Sequence, residues 1–371
     1  MYLHKLILYW IITIVLLTGF WYTFDTYLVW FTRLSVLGTL SIIAWTIANR
    51  IYEHINTGNV DPNGKAVLIT GCDTGFGHRL AQQLDNYGFH VFAGVLFPDG
   101  DGSKRLKSNG SKRLRVIPLD VTKPNDVEAA VAQIRQSKLP LWAVVNNAGI
   151  AIGCPFDWGK DIDVYQKTFD VNVFGVVRVT NRCLPLLRQS KGRVINVASV
   201  AGRLTVPIMS HYCMAKHSVR VFSDVLRREL YNDQIEVVTI EPTFYKTPIV
   251  DFNQIRRARE RIYEETPNDI REAYSSKYIS SLNEVGKLVN VVTRKDVGEV
   301  IDTMMKAVTL THPKAFYRCC GYHDVVGWAV SHLPETILDA IVNLIFHNKY
   351  SIPLAKQYCR LFESKQQEKA E

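Results

Sequence analysis

The chain has 371 residues, 47% hydrophobic and 21% charged, with a formal net charge of +9 at pH 7; that is enough apolar side chain for one large core and excludes a disordered or fibrous polymer. The positive balance does not point to nucleic acid, because the basic residues are scattered and the densest cluster, Arg256, Arg257, Arg259 and Arg261, is followed at once by Glu264 and Glu265. That cluster reads as a solvated helix face, with contact to anionic lipid headgroups as the alternative. Seven cysteines without a CxxC pair or a His/Cys metal spacing argue against a disulfide framework or a metal site, and for a reducing compartment.

From Leu6 to Phe24 the chain carries no charge, about the length a helix needs to cross the hydrocarbon core. Bulky Trp21, Tyr22 and Phe24 stand where a cleaved signal peptide would have small residues, so the segment reads as a retained membrane span with an aromatic belt. A second apolar stretch, Leu28 to Ala48, is interrupted only by Arg33. Two arrangements are open. In the one the positive-inside rule prefers, both stretches cross as a hairpin with Asp25 in the turn, and His4, Lys5 and Arg50 stay cytosolic with the rest of the chain. In the other only the first crosses and the second lies in the interface, which would place the rest of the chain on the far side, where glycosylation of the sequon Asn109-Gly110-Ser111 would report it. Residues 1–55 are therefore assigned to a membrane anchor of one or two transmembrane helices.

From Lys65 short β-rich runs alternate with helical ones, which predicts βαβ units and an α/β, doubly wound parallel sheet over 60–322. The first strand, KAVLITG, runs into Thr70-Gly71-Cys72-Asp73-Thr74-Gly75-Phe76-Gly77 and then the helical HRLAQQLDNYG. Glycines crowding a strand-to-helix turn let backbone amides and a helix N-terminus approach a pyrophosphate. The second strand, HVFAGVL, ends with neither an acid for a ribose 2′-hydroxyl nor an arginine for a 2′-phosphate, and Asp99 in the next loop is the candidate ribose partner. Tyr212 and Lys216, four residues apart, share one helix face, and a nearby cation is what a phenol needs to act as a base near neutral pH. Ser199 stands thirteen residues upstream, at the end of the strand RVINVAS.

The TGxxxGxG spacing at 70–77, LDV at 119–121, NNAG at 146–149, Asn172 in DVNVFG, Ser199, and YxxxK at 212–216 follow one another in an order that resembles the short-chain dehydrogenase/reductase family. GCDTGFG, HVFAGVL, LRREL and EPTFYKT are similar to its branch of retinol, hydroxysteroid and D-3-hydroxybutyrate dehydrogenases, over roughly residues 60 to 345. The resemblance implies a Rossmann-type, NAD(P)-dependent oxidoreductase that interconverts a hydroxyl and a carbonyl, and a homo-oligomer. It implies Tyr212 as general acid/base, Lys216 lowering the tyrosine pKa and gripping the nicotinamide ribose, Ser199 orienting the reacting oxygen, and Asn172 supporting a water relay. Implied cofactor contacts are Thr70, Gly71, Gly75, Phe76, Gly77, Asp120, Asn146, Ala148, Gly149, Pro242 and Thr247, together with Tyr212 and Lys216. Thr74 stands where NADP-binding members often carry a basic residue, so NAD is preferred over NADP. Thr243 replaces the family's glycine after Pro242, which should stiffen or re-aim that loop.

Three functions remain. The leading one acts on a lipophilic steroid or retinoid, because an anchor, expected in the endoplasmic reticulum with the enzyme facing the cytosol, holds the pocket where such molecules partition. The second is a D-3-hydroxybutyrate dehydrogenase, which would need a buried cation near Ser199, with Arg203 and Lys246 as candidates. The third, of another class, is a non-catalytic lipid-binding scaffold. The region 244–290 is expected to close over the substrate. Residues 323–371 form a C-terminal helical segment in which Leu333-Pro334-Glu335 opens TILDAIVNLIF, read as core-packed with a membrane-dipping helix as the alternative. The vicinal Cys319-Cys320 falls in a predicted buried strand, KAFYRCC.

Overall fold

The computed structural model describes residues 2–55, 58–276, 278–280, 282, 293–319 and 333–346. The chain divides into two units, 1–58 and 59–371.

The first unit is one unbroken helix, α1 (Tyr2–Ile55), of 54 residues, about 80 Å at 1.5 Å per residue. Its stretch Trp10–Ala48 is long and apolar enough to cross a membrane. There is no turn at Asp25, so the hairpin expectation gives way to a continuous rod. The reason is local: nothing between Phe24 and Leu28 is a glycine or proline, and aspartate and threonine weaken a helix only slightly. The hydroxyls are satisfied within the helix, as apolar surroundings require: Thr18, Thr23, Thr26, Thr39 and Thr46 each donate to the carbonyl four residues back.

The second unit is built on a parallel sheet of β1 (Ala66–Ile69), β2 (His90–Val95), β3 (Leu114–Pro118), β4 (Leu141–Asn146), β5 (Arg193–Val197), β6 (Glu236–Pro242) and β7 (Phe316–Cys319), in the order β3-β2-β1-β4-β5-β6-β7. The near-continuous apolar runs read from the sequence are what a sheet covered on both faces demands. Val67 and Ile69 of β1 pack with Leu80 and Leu84 of α2 (Gly75–Tyr87) and with Val300 and Met304 of the helix Gly298–Thr309. Ala66 and Leu68, on the opposite face, pack with Val131 and Ile134 of α4 (Pro124–Gln136) and Val179 and Leu187 of α6 (Gly175–Ser190). Each such side chain contributes roughly 1.5–3 kcal/mol by leaving water. α3 (Asp101–Asn109), α5 (Asp163–Phe169) and α7 (Ser210–Glu229) complete the two layers.

Strand order reverses between β1 and β4, so the loops leaving their C-terminal ends diverge and open a crevice. A separate small core roofs it. Ile262 of α8 (Phe252–Glu265) and Leu282 pack with Cys154, Trp158 and Val164, and partly buried Ile270 of α9 (Asn268–Glu272) joins them. The Trp158 ring centre also lies 4.7 Å from that of Tyr263, tilted, and 5.5 Å from that of Tyr274, edge-on. The described part of 244–290 thus packs against Cys154, Trp158 and Val164. The helix Glu335–Phe346 forms after Pro334, but Glu335, Thr336, Ile337, Asp339 and Ala340 are exposed, so its described side chains do not pack into the core. Cys319 is buried at the end of β7, while Cys320 lies outside the described residues.

Candidate active site

The crevice holds a cavity of about 480 Å³ whose wall runs from the glycine turn to α8. β1 delivers the turn. Gly71 takes a φ of +70°, and a Cβ on it would lie 2.8 Å from the Ala148 Cα; a Cβ on Gly77 would lie 2.5 Å from both the Gly71 carbonyl and the Asn147 amide nitrogen. Gly75, at φ +64°, opens α2, whose first amides have no side-chain cap. These are the features an anion-binding helix N-terminus needs. The turn is clamped from behind: the Thr70 hydroxyl accepts the amides of Asn147 and Ala148, each at 3.0 Å, and the Asn147 side chain donates to the carbonyls of Thr70 and Gly71 at 2.9 and 3.1 Å.

The NNAG run therefore divides its labour. Asn147, Ala148 and Gly149 line the cavity. Asn146 does not; it is buried and donates to the Thr180 hydroxyl at 2.9 Å and the Asn196 side chain at 2.8 Å, tying β4 to α6 and β5. The expectation that Asn146 touches cofactor is corrected accordingly, and Asn147, its neighbour in the same motif, takes the place at the turn. The reason is the strand's alternation, which sends successive side chains to opposite faces.

Asp99 is exposed and outside the wall; the acid at the end of β2 is Asp73, from the glycine turn itself. Its carboxylate accepts the amides of Leu96 and Phe97 at 2.9 and 2.8 Å. Asp120 lines the same end. Partial burial would raise its pKa, but the hydroxyl and amide of Thr122, at 2.7 and 3.0 Å, and Lys123 at 3.6 Å together hold it below the usual aspartate range. Thr247, Pro242 and Phe76 also lie in the wall. Beside them the Thr243 loop needs no glycine: Thr243 is not among the residues with positive φ, and its hydroxyl donates to the Cys319 carbonyl at 3.3 Å.

Tyr212 and Lys216 project from α7 and Ser199 from the loop after β5, all three into the cavity. Ser199 caps a short turn, accepting the Ala201 amide at 3.2 Å, and lines the same cavity as the Tyr212 phenol. Burial pushes the phenol up to about 12, with Ser199 pulling the other way. Burial likewise brings Lys216 down to about 8; its ammonium donates to the Val197 carbonyl at 2.8 Å and lies 5.7 Å from the Tyr212 ring centre. Both groups sit in apolar surroundings that penalise their charged forms. Asn172 lies on a π-helical turn, Asp170–Phe174, between α5 and α6, a distortion frequent at functional sites. It does not line the cavity. Its side chain accepts the Ile150 amide and donates to the Ile150 carbonyl, both at 2.8 Å, and so fixes the backbone that follows NNAG.

One wall residue escaped the sequence reading. Of the basic cluster on α8, Arg256, Arg257 and Arg261 are exposed, but Arg259 is 5% exposed and lines the cavity. The signal was present as spacing, since Ile255, Arg259 and Ile262 stand at i, i+4 and i+7 on one inward stripe. Arg203 and Lys246, the cations weighed for a carboxylate substrate, are elsewhere: Arg203 pairs with Glu241 at 2.6 Å, and Lys246 is exposed.

The fold is shared with a short-chain dehydrogenase/reductase of Burkholderia phymatum solved in complex with NAD, at TM-score 0.60, 21% identity, and 76% and 96% coverage of the two chains. At the level of sequence the chain is 35% identical over 320 residues to the estradiol 17-beta-dehydrogenase 2 of Mus musculus, covering 85% of this chain and 84% of that one. It is 34% identical to retinol dehydrogenase 16 of Mus musculus, with 84% and 96% covered, and 37% identical to the mitochondrial D-beta-hydroxybutyrate dehydrogenase of Bos taurus, with 76% and 85% covered. The short chain dehydrogenase family model matches residues 65–257, the stretch that carries the glycine turn, Ser199, Tyr212 and Lys216. With that match laid over this crevice and relatives of such identity across most of its length, the chain belongs to the short chain dehydrogenase family, a family of oxidoreductases.

Proposed function

We propose that the protein uses NAD(P), NAD by preference, to interconvert a hydroxyl and a carbonyl on a lipophilic substrate of the steroid or retinoid class. The observation that carries the reading is the grouping of Tyr212, Ser199 and Lys216 in one cavity continuous with the glycine turn. The residues present fit the cofactor, since glycine at 71 and 77 lets the turn pack closely on Ala148 and Asn147 and α2 offers its free amides. When bound, the nicotinamide supplies the hydride donor or acceptor.

The rest is the work of the chain. The turn and α2 bind a diphosphate, and Asp73 and Asp120 make the far end of the groove acidic, which favours a free ribose hydroxyl over a 2′-phosphate. Ser199 orients the substrate oxygen, and Tyr212 gives that oxygen a proton in reduction or takes one in oxidation. With a pKa of about 12 the phenol is the acid at neutral pH, ready for reduction; oxidation draws on its deprotonated form. Lys216 holds the Val197 carbonyl beside the site and would hold the ribose of the cofactor, while Asn172 acts through the Ile150 backbone it fixes.

The apolar α1 supports attachment to a membrane, proposed here as the endoplasmic reticulum, with the catalytic unit in the cytosol as a homo-oligomer; as one continuous helix crosses once, this placement puts the N-terminus in the lumen and rests on the five described cysteines, all buried and free, which agree with a reducing compartment. Asn109 of the sequon is exposed, so its glycosylation in cells would place the unit in the lumen instead. A second reading, turnover of D-3-hydroxybutyrate, is favoured by the bovine relative, but a four-carbon acid would leave most of the apolar wall unfilled.

The test is turnover in detergent or liposomes with NAD and NADP against retinol, hydroxysteroids and 3-hydroxybutyrate, with Tyr212→Phe as control. Oxidation of a lipophilic alcohol that disappears in Tyr212→Phe supports the proposal. Turnover of hydroxybutyrate alone supports the second reading, and cofactor binding without any turnover supports a scaffold.

A further inference from the structure

Arg259 is the wall residue that the chemistry above leaves unused. It sits in the middle of the inward stripe of α8, beside Ile262 and Leu282 of the roof and close to Cys154 and Tyr278. Its Nε and Nη1 are buried without a hydrogen-bond partner. Among the described residues no carboxylate pairs with it: Glu260 turns to Arg256 at 3.5 Å, and Asp157 accepts from the Tyr274 hydroxyl. Burial lowers its pKa, outweighing the pull of Cys154, Glu260 and Tyr278 in the other direction.

The other deeply buried arginine shows how this fold treats a structural guanidinium. Arg193 is 1% exposed, donates to the carbonyls of Ala307 and Leu310 at 2.9 and 2.7 Å, and meets Glu236 at 2.9 Å, so its charge ties β5 to the helix Gly298–Thr309. Among the described residues Arg259 ties no two elements together. An apolar residue of similar length would fill the stripe without the desolvation cost, and a guanidinium kept in a cavity wall without an acceptor is matched when the ligand brings one. The planar fork of arginine suits a carboxylate, which can accept two of its hydrogen bonds at once.

We propose that Arg259 receives a carboxylate carried by an otherwise apolar substrate, so that the site takes lipophilic hydroxy or oxo acids, with the reacting oxygen at Tyr212 and Ser199 and the acid group at α8. This rests on the dehydrogenase reading above and narrows its substrate class.

The test uses the full-length enzyme in detergent with NAD on three alcohols: a hydroxysteroid bearing a side-chain carboxylate, its methyl ester, and a neutral hydroxysteroid. Wild type favours the acid over the ester by about 10- to 100-fold in kcat/KM, the range of a charge-assisted bond to a buried partner. Arg259→Met loses that preference through the acid alone and keeps its turnover of ester and neutral alcohol; Arg259→Lys retains part of it. Equal use of acid and ester by the wild type overturns the proposal, as does an equal loss on all three substrates in Arg259→Met. Turnover of the neutral alcohol without an acid preference leaves the dehydrogenase reading standing and sinks this one. Should no alcohol react, the dehydrogenase reading falls, and Tm decides the acid site independently: the acid raises the Tm of wild type but not of Arg259→Met, and a rise produced equally by the ester refutes the carboxylate assignment.

Discussion

Replacing Lys216 by methionine should abolish turnover and at the same time stabilise the fold at neutral pH. Lys216 falls from 10.5 to about 8 through burial; at 1.36 kcal/mol per tenfold change in proton affinity, holding its charge in the folded state costs about 3 kcal/mol. Methionine removes that cost and fills a similar volume. It also strips the Val197 carbonyl of its donor, 2.8 Å away, a loss of about 1–2 kcal/mol. The net at pH 7 is a gain on the order of 1–2 kcal/mol for the variant.

The sign of the pH dependence separates this cause from better packing. The folded pKa lies below the unfolded one, so between about 8 and 10.5 the unfolded wild-type chain binds the extra proton and wild-type stability climbs with pH. The variant has no such group, and every other titration is common to both proteins. Its advantage should therefore shrink by about 3 kcal/mol as pH rises from 7 to about 10.5, and reverse. Urea unfolding in detergent at pH 7, 8.5 and 10 measures the difference directly. A gap that stays constant across the series, or a variant that is less stable at pH 7, would refute the account of Lys216 as a charge held against its surroundings.

Three further outcomes follow from the site. Gly77→Ala drives a Cβ to 2.5 Å from the Gly71 carbonyl and the Asn147 amide, so NADH affinity, read by fluorescence titration, should weaken at least about tenfold while the circular dichroism of the fold is kept; unchanged affinity would remove the turn from the binding site. The Tyr212 phenol, pushed up to about 12, should make oxidative kcat/KM rise steadily with pH above neutrality while the reductive rate stays level until the phenol ionises; an oxidative profile flat from pH 7 to 10 would show that another base does the work. Asp73→Ser withdraws the carboxylate that borders β2, and the NAD over NADP ratio of kcat/KM should fall by about tenfold; an unchanged ratio would assign cofactor choice to another residue.

Much of this molecule was legible in its sequence because the deciding physics is local. The glycine turn was readable because only residues without a side chain tolerate the φ of Gly71 and the 2.5 Å approach at Gly77. The parallel sheet was readable because strands buried on both faces must be apolar throughout, and Tyr212 and Lys216 were paired because four residues on a helix return to one face. The unbroken course of α1 through Asp25 is just as local, and the hairpin expectation failed by weighing charge placement above helix continuity. What the tertiary structure alone decided is what surrounds each group. Asp73 rather than Asp99 reaches the end of β2, and one arginine of four on α8 is buried, because each outcome depends on which distant segment packs alongside. The same holds for the upward pKa of Tyr212: a sequence shows a lysine four residues away, but the free energy of a charge is set by how much water the fold leaves around it, and that is a property of contacts made across the whole chain.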